Sequence, residues 1–184
     1  MSNTKEHLAD ALISELRTTP VDKITIQKLV DDCELTRQTF YNHFADIYEL
    51  VEWTAKRATD KALQNVATYD DWQQGFLNVM RDVEDNQYLV TNTYQSAYRD
   101  ILEKYIYKVL YEYIIAVVER QAQGLNVSDK HKHFIAHFYS LAFIALIFEW
   151  VANGFNDKPE DIVEQTGVLI QGDFKKALLR YSEK

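Results

Sequence analysis

The segment from Ile24 to Leu50 reads ITIQKLVDDCELTRQTFYNHFADIYEL. Its first half has apolar residues at the spacing of an amphipathic helix, namely Ile26, Leu29, Val30 and Cys33. Thr25 precedes these residues and predicts an N-cap. After a break at Glu34, Thr36 predicts the cap of a second short helix that runs to about Phe44. Two short helices joined by so tight a turn are typical of a helix-turn-helix unit.

The second of these helices has the composition of a helix that lies in the DNA major groove. In such units the exposed face of the second helix meets the base edges. We expect Phe40 and Phe44, four residues apart, to face inward. No acid lies between Leu35 and Phe44, although the whole chain has a net charge of -8. An ordinary solvated helix with an aromatic anchor has the same pattern, so the residues alone leave both alternatives open.

The run from Leu35 to Phe44 resembles the recognition-helix signature of the tetracycline-repressor-like (TetR) family of transcriptional regulators. A Thr-Phe-Tyr-Asn-His-Phe core carries this resemblance, which extends over about Leu8 to Trp53. The amino-acid sequence of the run is similar to that of a subgroup of the family that includes the activator of a dihydroxyacetone-kinase operon. The resemblance implies a sequence-specific DNA-binding regulator that acts as a homodimer on a palindromic operator.

The resemblance also implies which side chains contact DNA. Those that match recognition-helix positions are Thr36, Arg37, Gln38, Thr39, Tyr41 and His43. Those that match positions bracing the DNA backbone are Thr25, Gln27 and Lys28. We add Asn42 to the DNA-binding set, because an Asn amide suits adenine as an Arg guanidinium suits guanine.

Two residues depart from the family pattern. The family has Gly in the turn where this chain has Glu34, and a left-handed backbone at this residue would cost roughly 1 kcal/mol. The family has Lys at the start of the next helix where this chain has Ile47, so we expect one phosphate contact fewer. These departures and the negative net charge are the arguments for an alternative function, that of an all-α adaptor or ligand-binding module with weak or lost DNA binding.

The rest of the chain also shows helical spacing, and no segment sustains the period of two that strands need. We predict an all-α fold of about nine helices. An N-terminal three-helix helix-turn-helix domain (1–48) would precede a C-terminal helical bundle (49–184) for effector binding and dimerisation. The sequence has no Gly-rich phosphate loop, nucleophile motif or strong metal cluster, so we expect neither an enzyme nor a cofactor.

Local signals predict where several of these helices begin and end. Two capping pairs predict helix starts: Asp46 with Glu49, and Asp70 with Gln73. Gly124 predicts the end of a long helix. A last helix is expected after Asp157, with a continuous apolar stripe from Ile162 to Leu178.

The segment from Phe134 to Ala152 is almost continuously apolar and nearly long enough to cross a bilayer. It contains His137, Ser140 and Glu149, which favours a helix buried on all sides in a soluble protein, without a membrane partner. The resemblance implies that the last two helices build a four-helix dimer bundle. It also implies a small-molecule effector pocket among the tyrosines between Tyr88 and Tyr113, with a protein co-regulator as another input. Alternatively, these tyrosines simply pack or lie half exposed.

Cysteine and histidine usage limits the compartment and the metal chemistry. Cys33 is the single cysteine and the N-terminus is polar, so we predict a cytoplasmic protein without a disulfide or a signal peptide. His131, His133 and His137 form an H-x-H-x-x-x-H run whose i, i+4 pair could hold a metal. We favour a His-rich helix start with His137 packed inside, and we predict no metal site.

Overall fold

The computed structural model describes residues 2–63 and 72–182 of the chain. In these ranges it contains ten α-helices and no β-strand, which confirms the all-α prediction. The helices are α1 (Ser2–Leu16), α2 (Ile26–Asp32), α3 (Arg37–Tyr41), α4 (Ile47–Leu63), α5 (Trp72–Asp85), α6 (Gln87–Tyr94), α7 (Arg99–Gln121), α8 (Asp129–Ala152), α9 (Pro159–Ile170) and α10 (Asp173–Ser182). A 3-10 turn at Val21–Lys23 lies between α1 and α2. The predicted capping residue Asp70 lies outside the described residues.

The helices divide into two compact units. The first comprises residues 1–61 and 86–105, and the second comprises residues 62–85 and 106–184. The first unit extends beyond the predicted DNA-binding segment because α6 packs on α1, where Asn92 donates a hydrogen bond to the carbonyl of Leu16 at 2.7 Å. The predicted division into a DNA-binding segment (1–48) and an effector-binding and dimerisation segment (49–184) is a division by function, and it stays a prediction.

The core of the first unit holds the helix-turn-helix elements against α1. Leu8, Leu12 and Leu16 recur every four residues, so they share one face of α1, and all three are buried. Phe40 of α3 and Leu50 of α4 are fully buried in the same cluster. Each such side chain stabilises the fold by about 1.5–3 kcal/mol when its apolar surface leaves water. Hydrophobic packing therefore sets the position of α3.

The second unit is built around α8. Phe143 of α8 stacks on Phe76 of α5 with ring centroids 4.4 Å apart, and the Trp72 ring lies 5.1 Å from that of Phe143. α10 packs on α8 through Phe174, whose ring centroid lies 4.5 Å from that of Tyr139. These contacts bury one face of α8 among helices of its own unit.

α8 is long and apolar enough to cross a membrane by length and composition. Half of its most apolar window is buried in the structure, which is typical of a core helix. Within a single chain the segment is not buried on all sides, because Phe134 and Phe138 are each 57% exposed and Leu141 is exposed as well. α8 therefore has one buried face and one exposed apolar face.

The predicted last helix is in fact two helices. α9 ends at Ile170, α10 begins at Asp173, and Gly172 between them has a φ of 73°. A residue in the left-handed region ends a helix, and Gly adopts that region without a Cβ clash. The apolar stripe from Ile162 to Leu178 continues across the break, so the spacing of apolar residues did not reveal that the helix ends there. This split accounts for one helix more than the predicted nine among the described residues.

Candidate nucleic-acid interface

Side-chain caps begin both helices of the helix-turn-helix unit. The Thr25 hydroxyl accepts a hydrogen bond from the backbone N–H of Lys28 at 3.2 Å. The Thr36 hydroxyl accepts one from the backbone N–H of Thr39 at 3.1 Å. Both predicted N-caps are confirmed, and each satisfies a backbone donor that a helix start leaves free.

α3 is a short helix with a buried aromatic anchor. It ends at Tyr41, three residues before the predicted end, although the Phe44 N–H still donates to the Phe40 carbonyl at 3.0 Å. Phe40 and Phe44 are both buried, as predicted, and their ring centroids lie 5.9 Å apart. This anchor leaves the opposite face of α3 to solvent.

The turn between α2 and α3 has the hydrogen bonds of a Schellman motif. The Leu35 N–H donates to the Val30 carbonyl at 2.7 Å, and the Glu34 N–H donates to the Asp31 carbonyl at 3.2 Å. Glu34 has a φ of 54°, which is the left-handed conformation expected of the residue at this position. The sharp turn into α3 is therefore made at the cost of strain in a residue with a Cβ.

Replacing Glu34 by Gly is expected to stabilise the protein by about 0.5–1 kcal/mol. The left-handed backbone costs Glu34 about 1–2 kcal/mol, and the greater freedom of Gly in the unfolded chain offsets about 0.5–1 kcal/mol of that gain. Urea unfolding of both proteins measures the difference. Glu34→Gln is the matched control, because it removes the charge and keeps the Cβ. Equal stabilisation by both substitutions would show that charge, and not backbone strain, is the cause.

The structure places the predicted DNA-binding residues on one helix-turn-helix unit, with most of their side chains in solvent. The exposed ones are Thr25, Gln27, Lys28, Thr36, Arg37, Gln38, Tyr41 and Asn42. Those that are partly buried are Thr39 and His43. Their contacts with DNA stay a prediction, but their exposure leaves them accessible to a macromolecular partner.

Two hydrogen bonds link exposed side chains one turn apart on α3. Arg37 Nη2 donates to Tyr41 Oη at 3.4 Å, and Gln38 Nε2 donates to Asn42 Oδ1 at 3.1 Å. The first bond joins the guanidinium to the tyrosine hydroxyl, and the second joins the two amides to each other. These are the groups that read guanine and adenine in the major groove.

The ammonium group of Lys28 is paired with acids of two helices, one of which is far away in the sequence. Its ammonium lies 2.5 Å from an oxygen of Asp32 in α2 and 3.1 Å from an oxygen of Glu15 in α1. Hydrogen bonds to Asp32 and then to Glu15 raise the pKa of Lys28, because both stabilise its charged form. Gln27 likewise donates to Asp31 at 2.7 Å. The i, i+4 spacing signals the two pairs within α2, whereas no local pattern signals Glu15.

The start of α4 has a side-chain cap, and Ile47 stands where the resembled family has Lys. Asp46 Oδ1 accepts from the Glu49 N–H at 2.9 Å, and Glu49 Oε2 accepts from the Ala45 N–H at 2.6 Å. The predicted capping pair is confirmed, with the return bond made to Ala45 and not to Asp46 itself. Ile47 packs against the apolar core of the first unit, so it offers no charge to a phosphate.

Comparison with known proteins gives one matching family and one matching relative of known role. A family model described as the C-terminal region of TetR transcriptional regulators matches residues 70–172. The dhaKLM operon transcriptional activator DhaS of Lactococcus lactis is 21% identical over 157 residues, covering 82% of this chain and 81% of that protein. The matched family and this relative are transcriptional regulators and not enzymes.

Two solved structures share the fold. A structure described as the dihydroxyacetone kinase operon activator DhaS has a TM-score of 0.73 at 21% identity, covering 94% of this chain and 97% of that one. A transcriptional-regulator structure from Pseudomonas aeruginosa PAO1 has a TM-score of 0.67 at 14% identity, covering 98% and 94% of the two chains. At these identities the matches show the helical architecture, in agreement with the fold prediction.

Proposed function

The chain belongs to the TetR family of transcriptional regulators, and from this premise we propose that it binds a palindromic operator in double-stranded DNA as a homodimer. The observation that carries the proposal is the exposed, acid-free face of α3, which the buried Phe40 and Phe44 turn toward solvent. As a DNA-binding regulator the protein would act in the cytoplasm. The segment 1–48 would contact DNA, and the segment 49–184 would bind an effector and dimerise.

On the operator, α3 would lie in the major groove with Arg37, Gln38 and Asn42 toward the base edges. Tyr41 and the capped starts of α2 and α3 would meet phosphate oxygens through hydroxyl and backbone N–H groups. Lys28 would contribute less than a free lysine, because Asp32 and Glu15 already compensate its charge. We therefore expect modest affinity with a shallow dependence on salt, because few phosphates would be neutralised by Lys or Arg.

The homodimer proposal rests on apolar side chains that α8 and α9 leave in solvent. Phe138 of α8 is 57% exposed, and Val168 and Leu169 of α9 are 76% and 80% exposed. Large apolar side chains left in solvent favour a face that a partner covers. A second copy, related by a two-fold axis, would cover it and place two recognition helices about 34–36 Å apart, one turn of DNA.

Replacing Leu169 by Glu is expected to raise the dimer dissociation constant by at least about 100-fold, because like charges brought together at an interface cost several kcal/mol. Sedimentation equilibrium at micromolar protein measures the change. The fold should survive, since Leu169 is exposed. Tyr88→Glu on α6 is the control, because it adds the same charge at an exposed aromatic residue of the first unit and should leave the dimer intact. A wild-type monomer, or a Leu169→Glu dimer, would refute the proposed interface.

Control of the regulator would come from a small-molecule effector or a protein co-regulator. An effector acts by binding more tightly to one of two arrangements of the dimer. The tyrosines expected around a pocket differ in surroundings: Tyr88 is 66% exposed, Tyr113 is buried against Gly75, and Tyr107 and Tyr111 pair with histidines. The pocket stays a prediction. We propose that the outcome of control is activation of an operon, which is what the name of the Lactococcus lactis relative states for that protein.

Selection of bound sequences from a random duplex pool, at low salt, tests the proposed function. We expect a palindrome with two half-sites about one DNA turn apart. Arg37→Ala, run in parallel, should enrich nothing or lose the guanine positions. If the folded, dimeric protein enriches no sequence, the adaptor or ligand-binding alternative replaces the operator-binding proposal.

A further inference from the structure

We propose that His133 and His137 of α8 form a binding site for a divalent transition-metal ion of the Ni²⁺, Cu²⁺ or Zn²⁺ class. The two residues lie one helical turn apart on the same face of α8. The expectation that His137 is packed inside is wrong, because both imidazoles are exposed. The inference goes beyond DNA binding and does not depend on it.

Each of the two histidines is oriented by a tyrosine of α7. Tyr107 Oη lies 2.8 Å from His137 Nδ1, and Tyr111 Oη is hydrogen-bonded to His133 Nδ1. In an imidazole the two nitrogens point in widely different directions, so Nδ1 toward α7 directs Nε2 away from it. Two neighbouring Nε2 atoms are thus presented on the outside of the helix, where an ion can reach them.

The tyrosines supply the outer support that metal-bound histidines usually have. A ligating His commonly donates its other ring N–H to an oxygen, which fixes the tautomer and leaves the second nitrogen a lone pair. Tyr107 and Tyr111 stack with ring centroids 5.9 Å apart and are partly buried, so the support is ordered.

The chemistry of the donors selects the metal class. Imidazole nitrogen suits Ni²⁺, Cu²⁺ and Zn²⁺, whereas Mg²⁺ and Ca²⁺ prefer oxygen ligands. No group of three or more His, Cys, Asp or Glu residues in the described ranges could hold a metal, so the other coordination positions fall to water or to a second copy. Lys132 lies next to the site, but Glu119 at 2.9 Å and Asp129 at 2.7 Å compensate its charge.

His131 provides an internal comparison. Its Nδ1 lies 3.1 Å from the Ser128 hydroxyl, and its ring stacks on Tyr181 with centroids 4.0 Å apart. It is therefore held by a different element from the one that orients His133 and His137. The stacked His131 should contribute little to metal binding.

Calorimetric titration of the untagged full-length chain with NiCl₂ tests the site. We expect saturable binding that weakens by about tenfold or more in His133→Ala and in His137→Ala, persists in His131→Ala, and weakens by about tenfold in Tyr111→Phe. One ion per chain indicates a site within one protomer, and one per two chains indicates that a second copy adds ligands; both support the proposal.

Nuclear magnetic resonance of the wild-type protein gives a readout that needs no variant. Added Cu²⁺ should broaden the ring signals of His133 and His137 first, and those of His7, His43 and His131 later. Absence of saturable Ni²⁺ binding would overturn the proposal. So would binding that is unchanged in both alanine variants, or uniform broadening of all five histidines.

Discussion

Phe44→Ala is expected to destabilise the first compact unit by about 3–5 kcal/mol, the cost of removing a buried Phe side chain. Phe44 is 1% exposed, and its ring centroid lies 5.9 Å from that of Phe40 and 6.1 Å from that of Trp53. Lys5 Nζ also lies 4.9 Å from the centre of the ring. Alanine would leave a cavity between α3 and α4 that the surrounding helices can fill only in part.

Urea unfolding followed by tryptophan fluorescence measures this loss, and Trp53 reports directly on the affected packing. Domains are stable by about 5–15 kcal/mol, so the variant should unfold at a much lower urea concentration. Tyr88→Ala is the control, because it removes an aromatic ring that is 66% exposed in the same unit. That control should change the stability by no more than about 0.5 kcal/mol. Equal losses in the two variants would contradict the anchoring role of Phe44.

Arg37→Ala should weaken binding to the selected operator by a factor between about 30 and 10⁴. A bidentate contact from Arg to guanine contributes about 1–3 kcal/mol, and a dimer makes it in both half-sites, so the losses add. Arg37 is exposed and donates to Tyr41 Oη, so its replacement should leave the fold unchanged. Fluorescence anisotropy with a labelled operator duplex at fixed low salt measures the affinity.

Arg57→Ala is the matched control for Arg37→Ala. Arg57 carries the same charge in the same unit, but it lies outside the helix-turn-helix unit, where its guanidinium pairs with Asp10 at 2.6 Å and approaches the Trp53 ring. Its removal changes the net charge equally and should cost less than about tenfold in affinity, the effect of lost long-range attraction. If both variants weaken binding alike, Arg37 acts through charge alone and does not read a base.

The chain has a net charge of -8, and acidic residues also surround the lysine of α2. Lys28 is paired with Asp32 and Glu15, and Ile47 replaces a lysine, so few free cations remain beside α3 to neutralise phosphates. Specific contacts from the exposed face of α3 would then supply a large share of the operator affinity. Non-specific affinity should be low, because phosphate neutralisation provides most of it.

The sequence by itself determined the features that depend on near neighbours in the chain. Thr25 and Thr36 cap their helices because a hydroxyl reaches the N–H three residues on, and Phe40 and Phe44 share a face because they lie one turn apart. Glu34 stood out because the resembled family has Gly in that turn, and the structure shows the left-handed residue that a Schellman motif places there. The family resemblance also rests on this continuous stretch.

Only the tertiary structure decided the features that join distant segments. Glu15 reaches Lys28 from another helix, and the tyrosines of α7 meet His133 and His137 of α8, more than twenty residues away. The same holds for the face of α8 that stays in solvent, since an almost continuously apolar segment has no periodicity to show which side its neighbours cover. Spacing along the chain predicts contacts made within one turn of helix, whereas contacts between helices depend on how their faces pack.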